Sequence, residues 1–382
     1  VSGLRVLLGI HHPLDPNLGA PGVTLALGQA LQGLGCEVSY YGYGEAFPGV
    51  TSHSALHSLR FPWALSAWLA REAHRFDVLD ITTGDCWPWA RVGRPGARRR
   101  QALVTRSHGL EHLVSEQLRA DVHAGRAQVS WKYPLYHGGF RLWEVRESLR
   151  LSDHAVLLNP QDRDFVRDRL GVPGERLSVI PHGLSGAFLE RPAPEPGAPE
   201  GPVRIAFVGS WLQRKGREEL VAVAAALRAQ GVPFSLELLG TGAPEDEVRG
   251  AFSPEVRAQV RVAPRYRNED LPGLLQGAEI LLFPSHAEGY GMALVEAMAC
   301  GLAPVTTPVG VAPEVVQDGQ TGRLLRVGDV AGLTQAVRAL AEDRPRLLAL
   351  RQAAQRVVKG MTWQQAGIRT LRMYEQTISI RS

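Results

Sequence analysis

"SHAEGYGMALVEAMACG", Ser285–Gly301, sets two glutamates, Glu288 and Glu296, on either side of a Gly-Tyr-Gly turn. The preceding "AEILLFP" is an apolar run of strand length closed by Pro284, and "MALVEAMAC" has helical composition ended by Gly301. The stretch therefore reads as strand, loop and helix, with Glu288 in the loop and Glu296 in the helix's first turn. In parallel α/β sheets this connection lies at the carboxyl edge, where the first helical N–H groups are unpaired and suit a phosphate. A carboxylate repels a phosphate, so acids placed there are expected to accept hydrogen bonds from hydroxyls on either side of it. A nucleotide sugar has that form, with ribose on one flank and hexose on the other. The plainer alternative is that Glu296 complements the helix dipole and Glu288 is a solvated loop charge.

The rest of the chain supplies matching elements. "LRVLLGI", the loop "HHPLDPNLGAPG", the helix "VTLALGQALQGLG" and "CEVSYYG" open a βαβ unit. Strand-like runs recur at "FDVLDIT", "QALVTRS", "HAVLLN" and "LSVIPHG". "LERPAPEPGAPEGP", Leu189–Pro202, then interrupts every periodic pattern and reads as a linker or hinge. The alternation restarts with "VRIAFVGS", "FSLELLGTG", "VRVAP", "AEILLFP" and "LAPVTTP". The fold class is thus α/β, with two doubly wound domains whose facing carboxyl edges form a cleft.

Composition agrees and excludes other classes. At 382 residues, 45% hydrophobic and 21% charged, the chain is too long for one ordinary core and has the balance of a globular enzyme. No run approaches the ~18 apolar residues of a membrane span, and no basic-then-apolar leader is seen. Cys36, Cys86 and Cys300 are scattered without CxxC spacing, so the expected location is the reducing cytoplasm. The net charge of +4 divides evenly along the chain, which gives no nucleic-acid arm.

The sequence resembles the large retaining glycosyltransferase family of group 1, or GT4-like, type, which includes glycogen and sucrose synthases and bacterial envelope transferases. The resemblance is carried by "FVGSWLQRKG", "LLGTGAP", "DLPGLLQGAEILLFPSHAEGYGMALVEAMACGLAPVTTPVGVAPEVV" and "DGQTGRL". Weaker similarity lies in "RSHGLEH", "SDHAVLLNPQDRDFV", "VIPHGL" and "MTWQQAGIRTLRMYEQT". It implies the GT-B fold, two Rossmann-like domains facing across a cleft. The expected boundaries are an acceptor domain over 1–188, a linker over 189–202, a donor domain over 203–362, and a helix over 363–382 crossing back to the first domain.

The resemblance also implies roles. Glu296 holds the ribose hydroxyls, while Glu288 and the backbone of Gly289, Tyr290, Gly291 and Met292 hold the donor sugar and distal phosphate. Arg214 and Lys215 bind the diphosphate and stabilise the leaving group. Relatives carry an arginine after the glycine matched by Gly209, where this chain has Ser210. His108 meets the donor sugar, Tyr266 in "APRYRNED" lies by the base, and Gly19 and Gly22 let backbone approach phosphate or acceptor. The implied activity is metal-independent retaining transfer from a nucleoside diphosphate sugar, most simply a UDP-sugar, with no cofactor. The acceptor is a sugar, lipid or small molecule. A nucleotide-sugar hydrolase or epimerase and a non-catalytic sugar-binding relative are the alternatives.

Three motifs suggest other chemistry. "HGLEH" satisfies an inverted zinc-protease pattern with His108, Glu111 and His112, but Gly109 and the preceding strand argue against one continuous helix. Asp162 and Asp164 imitate a metal-binding DxD, yet lie in a helix opened by Pro160, where residues two apart diverge. "GTGAPE" lacks the third glycine of a dinucleotide fingerprint. Finally, Trp63 and Trp68 with the arginines of "RVGRPGARRRQ", Arg91–Gln101, suit peripheral contact with an anionic membrane face.

Overall fold

Long apolar runs of four to six residues, separated by helical stretches, form two parallel sheets whose central strands are buried on both faces. The computed structural model describes residues 3–50, 52, 54–94, 101–195 and 201–380. Contacts divide the chain into two units, Val1–Gly183 with Thr362–Ser382, and Leu184–Met361.

Unit 1 contains β1 (Arg5–Gly9), β2 (Glu37–Tyr41), β3 (Val78–Thr82), β4 (Ala102–Arg106), β5 (His154–Leu157) and β6 (Leu177–Val179). They lie in the order β2-β1-β3-β4-β5-β6, all parallel. Its longer helices are α1 (Gly19–Gly33), α2 (Ala55–Glu72), α3 (Glu111–His123), α4 (Arg141–Leu151) and α5 (Pro160–Leu170). Unit 2 contains β7 (Val203–Val208), β8 (Phe234–Leu239), β9 (Val260–Ala263), β10 (Ile280–Phe283), β11 (Ala303–Thr306) and β12 (Arg323–Leu324), in the order β12-β11-β10-β7-β8-β9. This is the doubly wound Rossmann order, reversing between β7 and β10. Its longer helices are α6 (Arg217–Ala229), α7 (Met292–Ala299), α8 (Val330–Glu342) and α9 (Arg344–Val358). The last helix, α10 (Trp363–Ser379), returns to unit 1, where Met373 and Tyr374 join the core formed by Val6, Leu8, Leu27 and Val104.

Two boundaries differ from the sequence reading. The chain leaves unit 1 at Gly183–Leu184, upstream of the Pro-rich stretch expected to be the linker, and returns to it at Met361–Thr362. The described part of that stretch belongs to unit 2, because its carbonyls are bonded: Gln355 donates to Arg191 and Pro192, and Gln352 to Pro194. β12 was not foreseen, since its two residues are only half-buried and leave no periodic signal.

Unit 1 is tied to its C-terminal helix by a buried charge group. Arg106 Nε and Nη2 donate to Asp80 Oδ2 at 3.0 and 2.6 Å, and the Tyr374 hydroxyl donates to the same oxygen at 2.5 Å. Asp80 and Arg106 side chains are 1% and 7% exposed, so removing one partner strands the other away from water. Asp80→Ala should therefore cost about 3–5 kcal/mol of unfolding free energy. Breaking the exposed Arg338–Glu342 pair, 2.8 Å apart, should cost about 0.5 kcal/mol or less. Denaturant titration of both variants measures the difference, and equal effects would contradict it.

Candidate active site

The reversal of strand order in unit 2 brings two distant loops to one edge. β7 and β10 are parallel neighbours with Ile205 opposite Ile280, so both release the chain at the same end. β7 leads through Gly209 and the partly exposed Ser210 to a 3₁₀ turn over Gln213–Lys215, and β10 leads to Pro284–Gly291. There Lys215 Nζ lies 2.7 Å from both Glu288 carboxylate oxygens, and Ser285 Oγ donates to Glu288 Oε1 at 2.7 Å. The two side chains are 13% and 5% exposed. A buried ammonium requires such a counter-charge, and Lys215 also sits 5.7 Å over the Phe283 ring. The carboxylate can occupy two of its three donors, which leaves one for an anion.

The turn is held in place from below. Gly216 has φ +76°, and a Cβ there would lie 2.1 Å from the Pro284 carbonyl oxygen, so glycine alone permits the close approach. The His286 amide donates to the Arg214 carbonyl at 2.8 Å, while its Nε2 lies 2.8 Å from Glu219 Oε1 of α6. Thr307 Oγ1 donates to the Ser285 carbonyl at 2.5 Å. None of His286, Glu219 or Thr307 was singled out from sequence; a buried histidine inside the glutamate motif was the available signal. Arg214 itself is exposed and has no ion-pair partner among the described residues.

Gly289, the buried Tyr290 and the left-handed Gly291 (φ +96°) carry the chain from Glu288 into Met292, the first residue of α7. The Tyr290 carbonyl accepts from the Val311 amide at 2.7 Å. The placement of Glu296 corrects the sequence reading: it stands in the second turn of α7, not the first, because it is the fifth residue of a helix that begins at Met292 and one turn takes about 3.6 residues. The first turn therefore holds no acid, and its positive end is uncompensated. Glu296 is 7% exposed, and its carboxylate has no hydrogen-bond donor among the described residues. Burial alone pushes it up to about 7. Tyr266 packs closely on Gly240, where a Cβ would meet its ring at 2.7 Å. Burial, and then the Glu296 charge, raise its phenol. The structure thus brings together Gly209, Ser210, Arg214, Lys215, Glu288 and Gly289–Met292, with Tyr266 beside Glu296.

His108, Gly19 and Gly22 belong to unit 1. His108 follows β4, and its ring stacks on His182 with centroids 6.1 Å apart and planes at 25°. Burial, then His182 and Arg106, hold it well below the ordinary histidine range, so it is neutral at physiological pH. α3 begins at Glu111, so His108 and His112 share no helical face. Among the described residues no group of three His, Cys, Asp or Glu could hold a metal.

Gly19 and Gly22 are a correction: they lie in the first turn of α1 rather than in a loop. Pro21 is tolerated there because first-turn N–H groups have no helical partner. Asp162 and Asp164 lie in α5, where Asp162 is buried and Asp164 pairs with Arg163 and Arg167. Trp68 packs 4.8 Å from Tyr41, whereas Trp63 is exposed. Arg91 and Arg94 pair with Glu147 and Asp153; residues 95–100 lie outside the described residues.

Sequence comparison follows this division. Residues 190–357 match the model of Glycosyl transferases group 1, and residues 19–185 that of Glycosyltransferase Family 4. D-inositol 3-phosphate glycosyltransferase 1 of Catenulispora acidiphila is 30% identical over 78% of this chain and 72% of its own. The chain belongs to the group 1 glycosyltransferases. Other curated members of this family, 27–30% identical, are matched over only 54–55% of their length, so the chain spans about half of them. Sucrose-phosphate synthase from Thermosynechococcus elongatus superposes with TM-score 0.76 at 21% identity, covering 99% of this chain and 100% of that one. Anabaena HepE in complex with UDP-glucose gives 0.68 at 15%, covering 98% and 100%. At these identities the likeness is one of fold, the GT-B fold of two Rossmann-like domains.

The state of Glu296 in this family member has a measurable consequence. Its folded value of about 7 lies above the ordinary 4.5, so the folded chain holds that proton more tightly than the unfolded one. The resulting stability is complete below about pH 4.5 and is lost as pH rises through about 7. Relative to Glu296→Gln, the wild type should therefore lose up to about 3 kcal/mol across that window. Denaturant titrations at several pH values give the difference. A constant offset between the two chains would mean that Glu296 is not a desolvated carboxylate.

Proposed function

We propose that the chain is a retaining, metal-independent glycosyltransferase that moves a sugar from a UDP-sugar to a hydroxyl-bearing acceptor. One observation carries this reading: at the β7/β10 reversal, two cations, an uncompensated helix N-terminus and two carboxylates converge within one unit. Each part has a task in the departure of a nucleoside diphosphate. Arg214, the free donor of Lys215 and the first amides of α7 oppose the charge that grows on the diphosphate. Glu296, buried and lacking a donor, accepts hydrogen bonds from the ribose hydroxyls. Glu288, held by Lys215 and Ser285, accepts from the sugar and couples its position to the phosphates. The UDP-glucose held by HepE supports uridine as the base.

Because Arg214 and Lys215 supply the positive charge, EDTA should leave transfer intact. The double variant Arg214→Ala/Lys215→Ala should lower kcat/KM about 10²–10³-fold, as loss of transition-state charge stabilisation does. Glu296→Ala should raise the donor KM about tenfold with a smaller change in kcat. Assays with UDP-sugars and a hydroxyl acceptor measure all three, and NMR of the new glycosidic bond should show the donor's anomeric configuration. Inverted product, or activity recovered after EDTA only with manganese or magnesium, would contradict the proposal.

A further inference from the structure

Neither ring nitrogen of His108 is bonded to a described residue, and its Nδ1 is buried without a partner. Packing must therefore set the plane of the imidazole, and the structure shows what packs there. His182 stacks on His108 on one side and lies 5.7 Å from the Trp363 indole on the other. Trp363 opens α10, almost two hundred residues along the chain, and its position is fixed at both ends. At the start, a Cβ on Gly183 would fall 2.2 Å from the Trp363 nitrogen, so the helix presses directly on the backbone beside His182. Further along, Tyr374 is bonded to Asp80, whose partner Arg106 precedes His108 by two residues. Arg106, His108, His182, Trp363 and Thr370 line one small cavity of about 10 Å³, room for roughly one water, so the rings have little freedom to turn.

We propose that His182 and Trp363 are positioning residues for His108, so that the C-terminal helix sets the geometry of the unit 1 site through three rings in successive contact. This rests on the reading of His108 as a group that meets substrate. The rings act as shape and not as charge, because a proton on either histidine would face the other ring and the Arg106 guanidinium. An aromatic replacement should therefore serve, whereas an aliphatic one of similar bulk should not.

The test compares His182→Phe and Trp363→Phe with His182→Leu and Trp363→Leu, using the ¹⁵N imidazole signals of His108, identified by their loss in His108→Gln. The phenylalanine variants should keep the wild-type signals. In the leucine variants they should move toward those of a freely exposed, tautomer-averaging ring. In transfer assays the leucine variants should lose roughly tenfold or more in kcat, as misplacement of a reacting group does, with donor KM within about twofold because the residues proposed to hold the diphosphate and ribose lie in unit 2. Unchanged His108 signals in both folded leucine variants would overturn the proposal, as would phenylalanine variants that shift the signals equally. If the wild type transfers no sugar, the functional reading fails, while the NMR comparison still decides the stack.

Discussion

A lysine ammonium withdrawn from water must be matched by a negative group, and in unit 2 that requirement joins Lys215 to Glu288. The pair spans two loops far apart in sequence, so it forms only because β7 and β10 are parallel neighbours. Their adjacency follows from the doubly wound order, and their common exit edge follows from parallel pairing. The supporting contacts serve the same end: Gly216 admits the turn against Pro284, His286 bonds the Arg214 carbonyl, and Ser285 completes the Glu288 shell. With Glu288 already balanced by Lys215, the site retains Arg214 and a helix N-terminus as uncompensated positive groups. An anion is therefore attracted to an edge that also carries carboxylates.

Much of this was legible in the sequence where the signal is local. Apolar runs marked eleven of the twelve strands among the described residues, and the spacing of Glu288 and Glu296 about two glycines marked the loop and helix. Where the signal is tertiary, it was not. The partnership of Lys215 with Glu288, and of His286 with Glu219, depends on strand order, which periodicity does not encode. α7 begins at Met292, where its composition places it, yet Glu296 is the fifth residue and so falls in the second turn, because one turn takes about 3.6 residues. The prolines of 189–195 looked like a linker, yet glutamines of α9 bond the carbonyls there and attach the segment to unit 2.

The two units present opposite electrostatic characters. In unit 1 burial keeps His108 and His182 neutral, and the charges nearby are spent on one another: Asp80 on Arg106, and Asp85 on Arg141. Burial pushes Glu144 up to about 7, against the opposing Arg141 charge and the Trp87 indole that donates to it at 3.1 Å. Unit 2 instead keeps the exposed Arg214 and one desolvated carboxylate, Glu296, available. The separate family matches of the two halves follow the same division of the chain.

The central claim is that the β7/β10 edge receives a nucleoside diphosphate. A crystal structure of the chain with a UDP-sugar tests it most directly. The account predicts phosphate oxygens within hydrogen-bond reach of Lys215, Arg214 and the first amides of α7, with a ribose hydroxyl on the Glu296 carboxylate. A nucleotide bound at the β1/β3 edge of unit 1, with the Lys215–Glu288 pair untouched, would contradict it.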